Sequence, residues 1–198
     1  MTTTVYLVRH AEPNYHNHDD FTRELTEQGL KDSLKVTAYL KDKGIDKVYS
    51  SPFRRAHDTV KDLAHHLNLP ITLEDDFRER RIDSVWIEDF NHFAQKQWQD
   101  FSYKLSDGES LSEVQYRNIS ALEKIIAENP NKNLVIGSHG TALSTIVNHY
   151  QPDFDYSAFS QIKHLFPFIV KLTFSENICQ SISFYNILKE PPHETSLL

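Results

Sequence analysis

The chain has 198 residues, 39% hydrophobic and 25% charged, with a formal net charge of −7. That length suits one domain over residues 1–198 with a sizeable core, and the acidic balance argues against a broad nucleic-acid-binding face, though a small basic pocket can sit inside it. No stretch approaches the roughly 18 unbroken apolar residues of a membrane helix, and the single cysteine, Cys179, excludes an intrachain disulfide and a cysteine-based metal site.

The start, Met1-Thr2-Thr3-Thr4, lacks a basic segment leading into an apolar core, so no secretory leader is expected and the cytoplasm is the expected compartment. Val5-Tyr6-Leu7-Val8 reads as a buried strand that delivers Arg9 and His10 to its C-terminal mouth, where ligands bind in open α/β sheets. A polar loop follows from Asn14 to Arg23. Thr26 then caps a helix expected to bury Leu30, Leu34, Thr37 and Ala38 and to end at Gly44.

Asp46–Ser50 is a second short strand. After it, Phe53, Ala56, Val60, Leu63, Ala64 and Leu67 recur at helical spacing, with Pro52 suited to the first turn. Pro70–Glu74 is a third strand. The charged run Asp75–Asp83 and the aromatic-rich stretch Val85–Lys104 read as an insertion over the site, at about residues 76–107, built of irregular helices. Leu111, Val114, Ala121, Leu122, Ile125 and Ile126 mark another amphipathic helix, stopped at Asn129-Pro130-Asn131.

Leu134-Val135-Ile136 is a buried strand that runs through Gly137-Ser138 into His139 and a helix ending near Tyr150. Alternation in Phe168–Phe174 and Ile178–Phe184 around Ser175-Glu176-Asn177 predicts a hairpin on the sheet edge, a possible pairing edge for a monomer or homodimer. The tail from Glu190 carries no pattern. Strand and helix alternate through about residue 150, so the fold class is α/β, three-layer α/β/α with a mainly parallel central sheet.

Three strand-to-helix turns thus present Arg9 with His10, Arg54 with Arg55, and His139, while the charged run offers Glu79. Guanidiniums are bidentate donors matched to phosphate oxygens, a neutral imidazole is a competent nucleophile near neutral pH, and a protonated carboxyl group can serve a leaving alkoxide.

Five ordered motifs, Leu7-Val8-Arg9-His10-Ala11-Glu12, Leu25-Thr26-Glu27-Gln28-Gly29, Ser50-Ser51-Pro52-Phe53-Arg54-Arg55-Ala56, Gly108-Glu109-Ser110 and Ser138-His139-Gly140, resemble the histidine phosphatase superfamily with its phosphoglycerate mutase-like fold. The resemblance covers roughly residues 4–145. It implies His10 as the phosphorylated nucleophile, Arg9 and Arg55 as the phosphate clamp, His139 as the second histidine of the phosphate pocket and Glu79 as the proton donor. Arg55 is chosen over Arg54 because it directly precedes Ala56.

Two positions depart from the pattern. Ala11 stands where Gly is usual, which is tolerable with φ below zero, and His16 stands where Asn is usual, so that the phosphate contact of that loop is assigned to Asn17, one step late. The resemblance implies a phosphatase acting on a small phosphate monoester, with a phosphoglycerate mutase-type transfer as one alternative and a catalytically weak phospho-ligand sensor or scaffold as another. The insertion is short for a glycolytic mutase, which favours hydrolysis.

No cofactor and no metal are expected, and no nucleic-acid or membrane partner. The His16, His18, Asp19, Asp20 cluster fits no familiar ligand spacing. Arg54 is expected to be exposed, Glu109 to sit at a helix N-terminus, and Arg117 to lie on the polar side of its helix in an ion pair. Arg78, Arg80 and Arg81 are either a charged surface segment or a site for a second anionic group of the substrate. Trp86, Phe90, Phe93 and Trp98 are expected to pack the insertion rather than line a pocket.

Overall fold

Strand β1 (Thr2–Arg9) runs through the middle of the sheet, which is why its sequence is apolar on both faces. In the computed structural model, which describes residues 2–84, 87–189 and the backbone of 193–194, it is followed by α1 (Glu27–Leu40), β2 (Lys47–Ser50), α2 (Arg54–His66), β3 (Ile71–Leu73) and a 3₁₀ turn (Asp75–Phe77). Then come α3 (Phe90–Gln99), α4 (Leu111–Glu128), β4 (Asn133–Ser138), α5 (Gly140–Tyr150), α6 (Tyr156–Ile162), β5 (Phe168–Ser175), β6 (Ile178–Asn186) and β7 (His193–Glu194).

The described strands form one sheet in the order β3-β2-β4-β1-β5-β6-β7. Strands β3, β2, β4 and β1 pair in parallel, while β5, β6 and β7 add antiparallel pairs on the far side of β1. The fold is therefore mixed α/β with a mostly parallel sheet, as the sequence predicts.

Side-chain alternation divides the core into two layers. Val5 and Leu7 of β1 pack with Leu134 and Ile136 of β4 against Leu122 of α4 and Leu143 of α5. Tyr6 and Val8 point the other way, toward Val36 and Leu40 of α1 and Val60 and Leu63 of α2. Helices thus cover both faces, and no helix among the described residues is long and apolar enough to cross a membrane.

Several details correct the sequence reading. The helix capped by Thr26, whose side chain accepts from the Gly29 N–H, stops at Leu40, and Gly44 lies beyond it at φ +63°. Its buried face is Gly29, Ser33, Val36, Thr37 and Leu40, while Leu30, Leu34 and Ala38 face outward. Two helical stripes overlap here, and contact chooses between them: a Cβ on Gly29 would come within 2.3 Å of the Glu12 carbonyl oxygen, so the small residue must face the β1 loop.

Helix α2 starts at Arg54, so Pro52 precedes its first turn. The hairpin is not confined to the sheet edge, because β5 lies directly against β1; its Glu176 and Asn177 both take positive φ, as a tight two-residue turn between twisted strands requires. The tail contributes β7, which pairs with Tyr185–Asn186 of β6. The segment from 151 to 167, unassigned from the sequence, supplies α6. Among the described residues of 76–107 there is one α-helix, α3. Phe93 and Trp98 are buried, with Trp98 against Phe101, Phe154 and Phe159, as expected of packing residues, while Phe90 is partly exposed and Trp86 lies outside the described residues.

Candidate active site

The register of the parallel strands sets the site. Arg9 pairs with Ser138 and Ser50 with Gly137, so β1, β2 and β4 end level with one another, and the chain beyond each begins at the same edge. His10, Ser51 and His139 are the residues that follow.

Arg9 is buried and bends beneath α6. Its Nη1 donates to the Ile162 and Leu165 carbonyls at 2.8 and 3.1 Å, its guanidinium carbon sits 3.9 Å from the centre of the Phe166 ring, and its Nε has no partner among the described residues. The same guanidinium crosses the start of α5, where a Cβ on Gly140 would lie 2.9 Å from Nη2. Gly140 is glycine because the arginine occupies that space. Burial pushes the Arg9 pKa down to about 10, against the opposing pull of Tyr15 and Glu79, which leaves it charged at neutral pH.

His10 is 5% exposed, and its Nδ1 lies 2.8 Å from the carbonyl oxygen of Ala11. A carbonyl can only accept, so Nδ1 carries the hydrogen. Burial, followed by the charges of Arg55 and Arg9, holds the His10 pKa well below the ordinary 6.5. The neutral ring therefore keeps an unprotonated Nε2 with its lone pair available. Ala11 has ordinary backbone, since the described non-glycine residues at positive φ are Asn68, Asn131, Glu176 and Asn177. Its N–H donates at 2.9 Å to Thr59, whose hydroxyl donates to the Arg55 carbonyl, so the loop carrying His10 is tied to α2.

His139 is fully buried at the N-cap of α5, with its ring centre 5.3 Å from those of both His10 and Phe53. Nε2 shares a 2.8 Å hydrogen bond with the Ser51 hydroxyl, and Nδ1 has no partner among the described residues. Burial first, then Arg55 and His10, lower its pKa well below 6.5. Arg55 is buried, while Arg54 is exposed as expected. Arg55 Nη1 donates to the Asp20 carbonyl at 2.7 Å, and Nη2 lies 3.3 Å from the Asp20 carboxylate.

Glu79 is half-buried and serves as the cap that α5 lacks in its own sequence. Its two oxygens accept from the Thr141 and Ala142 N–H groups at 2.9 and 3.0 Å, and one also accepts from the Arg80 N–H at 2.8 Å. The segment carrying it is fastened by Arg117, which is buried rather than on the polar side of α4. Arg117 makes a two-pronged pair with Glu109 at 2.9 and 3.0 Å and donates to the carbonyls of Asp76, Arg78 and Glu79. Burial of Glu109 would raise its pKa, but Arg117, the Arg81 N–H and Arg78 outweigh this and hold it low.

Asn17 takes up a different position. Its amide donates to Glu24 and accepts from the Asp19 N–H, so its side chain is engaged within the loop. The three arginines after Phe77 also part company. Arg80 is buried, donates to Gln97 and stacks on Phe90 and Phe93, so it is a packing element and not a surface charge; Arg78 pairs with Asp75 and Glu109; only Arg81 is exposed.

A family model described as the histidine phosphatase superfamily (branch 1) matches residues 5–186. The chain belongs to that superfamily. It is 29% identical over 152 residues to the uncharacterized phosphatase PhoE of Bacillus subtilis, covering 73% of this chain and 76% of that protein. It is 28% identical over 156 residues to the probable phosphoglycerate mutase GpmB of Erwinia tasmaniensis, covering 73% of each. Its fold matches the phosphoserine phosphatase of Entamoeba histolytica in complex with 3-phosphoglyceric acid, with a TM-score of 0.73 and 21% identity over 91% of this chain and 96% of that one. As a histidine phosphatase it is an enzyme of phosphate esters, and a phosphohistidine route is characteristic of the family.

Four residues around this histidine phosphatase site carry no role in the sequence reading: Tyr15, Arg23, Ser51 and Phe166. Ser51 was accessible, standing between a strand and a proline within a recognised motif. Phe166 was not, because it comes from a separate segment more than 150 residues along the chain from Arg9. Tyr15 is half-exposed, and the charges of Arg9, Arg55, Arg23 and Glu79 all act on its hydroxyl, which places it at the rim.

Proposed function

We propose that this enzyme is a metal-independent cytoplasmic phosphatase of a small phosphate monoester, with His10 as nucleophile, Arg9, Arg55 and His139 as the phosphate pocket and Glu79 as the proton donor. The observation that carries the reading is the His10 Nδ1 contact with the Ala11 carbonyl, which fixes the tautomer and leaves Nε2 for in-line attack on phosphorus.

When Ser51 donates to Nε2 of His139, the Nδ1–H of that ring becomes a donor for an equatorial phosphate oxygen, supplementing the two guanidiniums as charge grows in the transition state. Attack forms the N–P bond and breaks the P–O bond to the leaving group, which takes a proton from Glu79. The same carboxylate then receives a proton from water as water attacks phosphohistidine, releasing inorganic phosphate and free His10. The positive charge that a metal supplies elsewhere is provided here by side chains, and among the described residues no group of three or more His, Cys, Asp or Glu could hold an ion. The 76–107 segment is read as the cover of a single domain, with its aromatic helix packed against α6.

Transfer to a second hydroxyl, as in a mutase, is the competing reading, and the likeness to GpmB keeps it in view. Incubation with 3-phosphoglycerate plus 2,3-bisphosphoglycerate separates the two. Release of inorganic phosphate from a panel of phosphorylated hydroxy acids, sugars and nucleotides, with little 2-phosphoglycerate formed, is expected; rapid 2-phosphoglycerate formation overturns hydrolysis.

A further inference from the structure

The loop between β1 and α1 is closed at its base by a bridge between Pro13 and Leu25 and by the Asn14 N–H on the Glu24 carbonyl. Both Asn14 and Asn17 donate to the Glu24 carboxylate, which holds its pKa down to about 2, so the base of the loop is a fixed strap. The strap carries Asp20 and Arg23 toward α2.

Arg23 is only 6% exposed, which is unusual for an arginine on a polar loop. Its Nε donates to the Asn17 carbonyl at 2.7 Å and its Nη1 to the Asp20 carboxylate at 2.8 Å. The same Asp20 oxygen lies 3.3 Å from Arg55, and the Asp20 carbonyl accepts from Arg55 as well. One half-exposed carboxylate is thus shared by two buried guanidiniums, one of which is a phosphate ligand in the reading above. Arg9, the third, has carbonyl partners and no paired carboxylate among the described residues.

We propose that Arg23 is a third phosphate-binding guanidinium, held in place by Asp20, and that Asp20 is the resident anion which the substrate phosphate displaces from Arg55 and Arg23. The proposal rests on the assignment of His10, Arg9 and Arg55 as the phosphate site. Arg9, Arg23 and Arg55 carry three positive charges against the Asp20 carboxylate that two of them share, which leaves an excess of positive charge for an incoming ester dianion. The charge of Arg23 also reaches both His10 and Arg55, so it sits within the field of the reacting group. Asp20 lies at the partly open side of the clamp, where its carboxylate can swing into water while its carbonyl keeps the strap on Arg55. Asp20 is accordingly a positioning residue that competes with ligand.

The test is calorimetric titration of inorganic phosphate into the full-length enzyme and into Asp20→Asn, Arg23→Lys and Arg23→Ala, with thermal melts alongside. Asp20→Asn keeps the carbonyl contact and removes the competing charge, so phosphate is expected to bind about tenfold more tightly. Arg23→Ala is expected to bind phosphate about tenfold or more weakly, with Arg23→Lys between it and the wild type. Should Arg23→Ala fail to fold, Arg23→Lys and Asp20→Asn still decide. A purely structural strap gives lower melting temperatures with phosphate affinities within about twofold of the wild type, and that result overturns the proposal. Equal or weaker phosphate binding by Asp20→Asn does so too. Wild-type enzyme that binds phosphate and hydrolyses esters while the variants bind as it does overturns this inference alone; wild-type enzyme that binds no phosphate overturns the site assignment with it.

Discussion

The ring of His10 is oriented by its own neighbour: Nδ1 lies 2.8 Å from the Ala11 carbonyl oxygen, and that oxygen belongs to a residue whose N–H is anchored to Thr59 of α2. The proposed nucleophile is thus aimed by backbone rather than by a neighbouring side chain.

The first consequence concerns pH. His10 and His139 are both held neutral well below the ordinary value of 6.5. Below pH about 6.5 the unfolded chain therefore binds protons that the folded chain excludes, so stability falls as pH drops through that range and is flat with respect to these groups above it. Denaturant melts from pH 7.5 to 5 are expected to show this loss, and His10→Gln, which removes one of the two histidines, is expected to show a shallower slope.

Glu79 caps α5, and one substitution separates that duty from its proposed role as proton donor. Glu79→Gln keeps an acceptor for the α5 N–H groups but cannot give up a proton. It is expected to lower kcat by about 10²–10⁴ for alkyl phosphates and by much less for p-nitrophenyl phosphate, whose leaving group needs no acid. The accompanying stability loss should stay near 1 kcal/mol, the scale of a charge at a helix N-terminus. Equal losses of kcat with both substrates contradict the proton-donor role.

The Arg117–Glu109 pair holds the Glu79 segment from behind. Arg117→Ala leaves Glu109 half-buried without its partner and frees the carbonyls of Asp76, Arg78 and Glu79, so a loss of about 3 kcal/mol is expected in urea unfolding. Steady-state kinetics on the folded variant should show a fall in kcat larger than the rise in KM, because Glu79 is mispositioned while Arg9 and Arg55 are untouched.

Gly140→Ala places a methyl group against the Arg9 guanidinium, which is pinned between Phe166 and the Ile162 and Leu165 carbonyls. Arg9 must shift by several tenths of an ångström or more, and KM and the inhibition constant for inorganic phosphate are both expected to rise about tenfold. An unchanged phosphate inhibition constant contradicts the close approach.

The strand ends were legible in the sequence, because the apolar runs that stop at Arg9-His10 and at Ser138-His139 are β1 and β4, and it is the order of the motifs around them that gives those ends a meaning. The exposure of Arg54 was legible as well, while Arg55 beside it is buried. Arg117 was misplaced because its burial comes from the loop it fastens, contacts that helical periodicity does not encode. Arg80 was unreadable for a similar reason: its partner Gln97 lies in α3, beyond a charged run that resembles any exposed segment. Asp20 and Arg23 stand among turn residues with no period, and only the docking of the strap on α2 reveals that Arg23 is buried and that Asp20 lies between it and Arg55. The outward stripe Leu30-Leu34 competed with Gly29-Ser33 on equal terms until the close contact with Glu12 was known.

The most direct measurement is to trap the covalent intermediate with a radiolabelled phosphate monoester followed by rapid denaturation. A label on the protein that survives alkali, is lost in acid and is absent from His10→Ala is the expected result. An acid-stable label, or His10→Ala enzyme that turns over at the wild-type rate, contradicts the account.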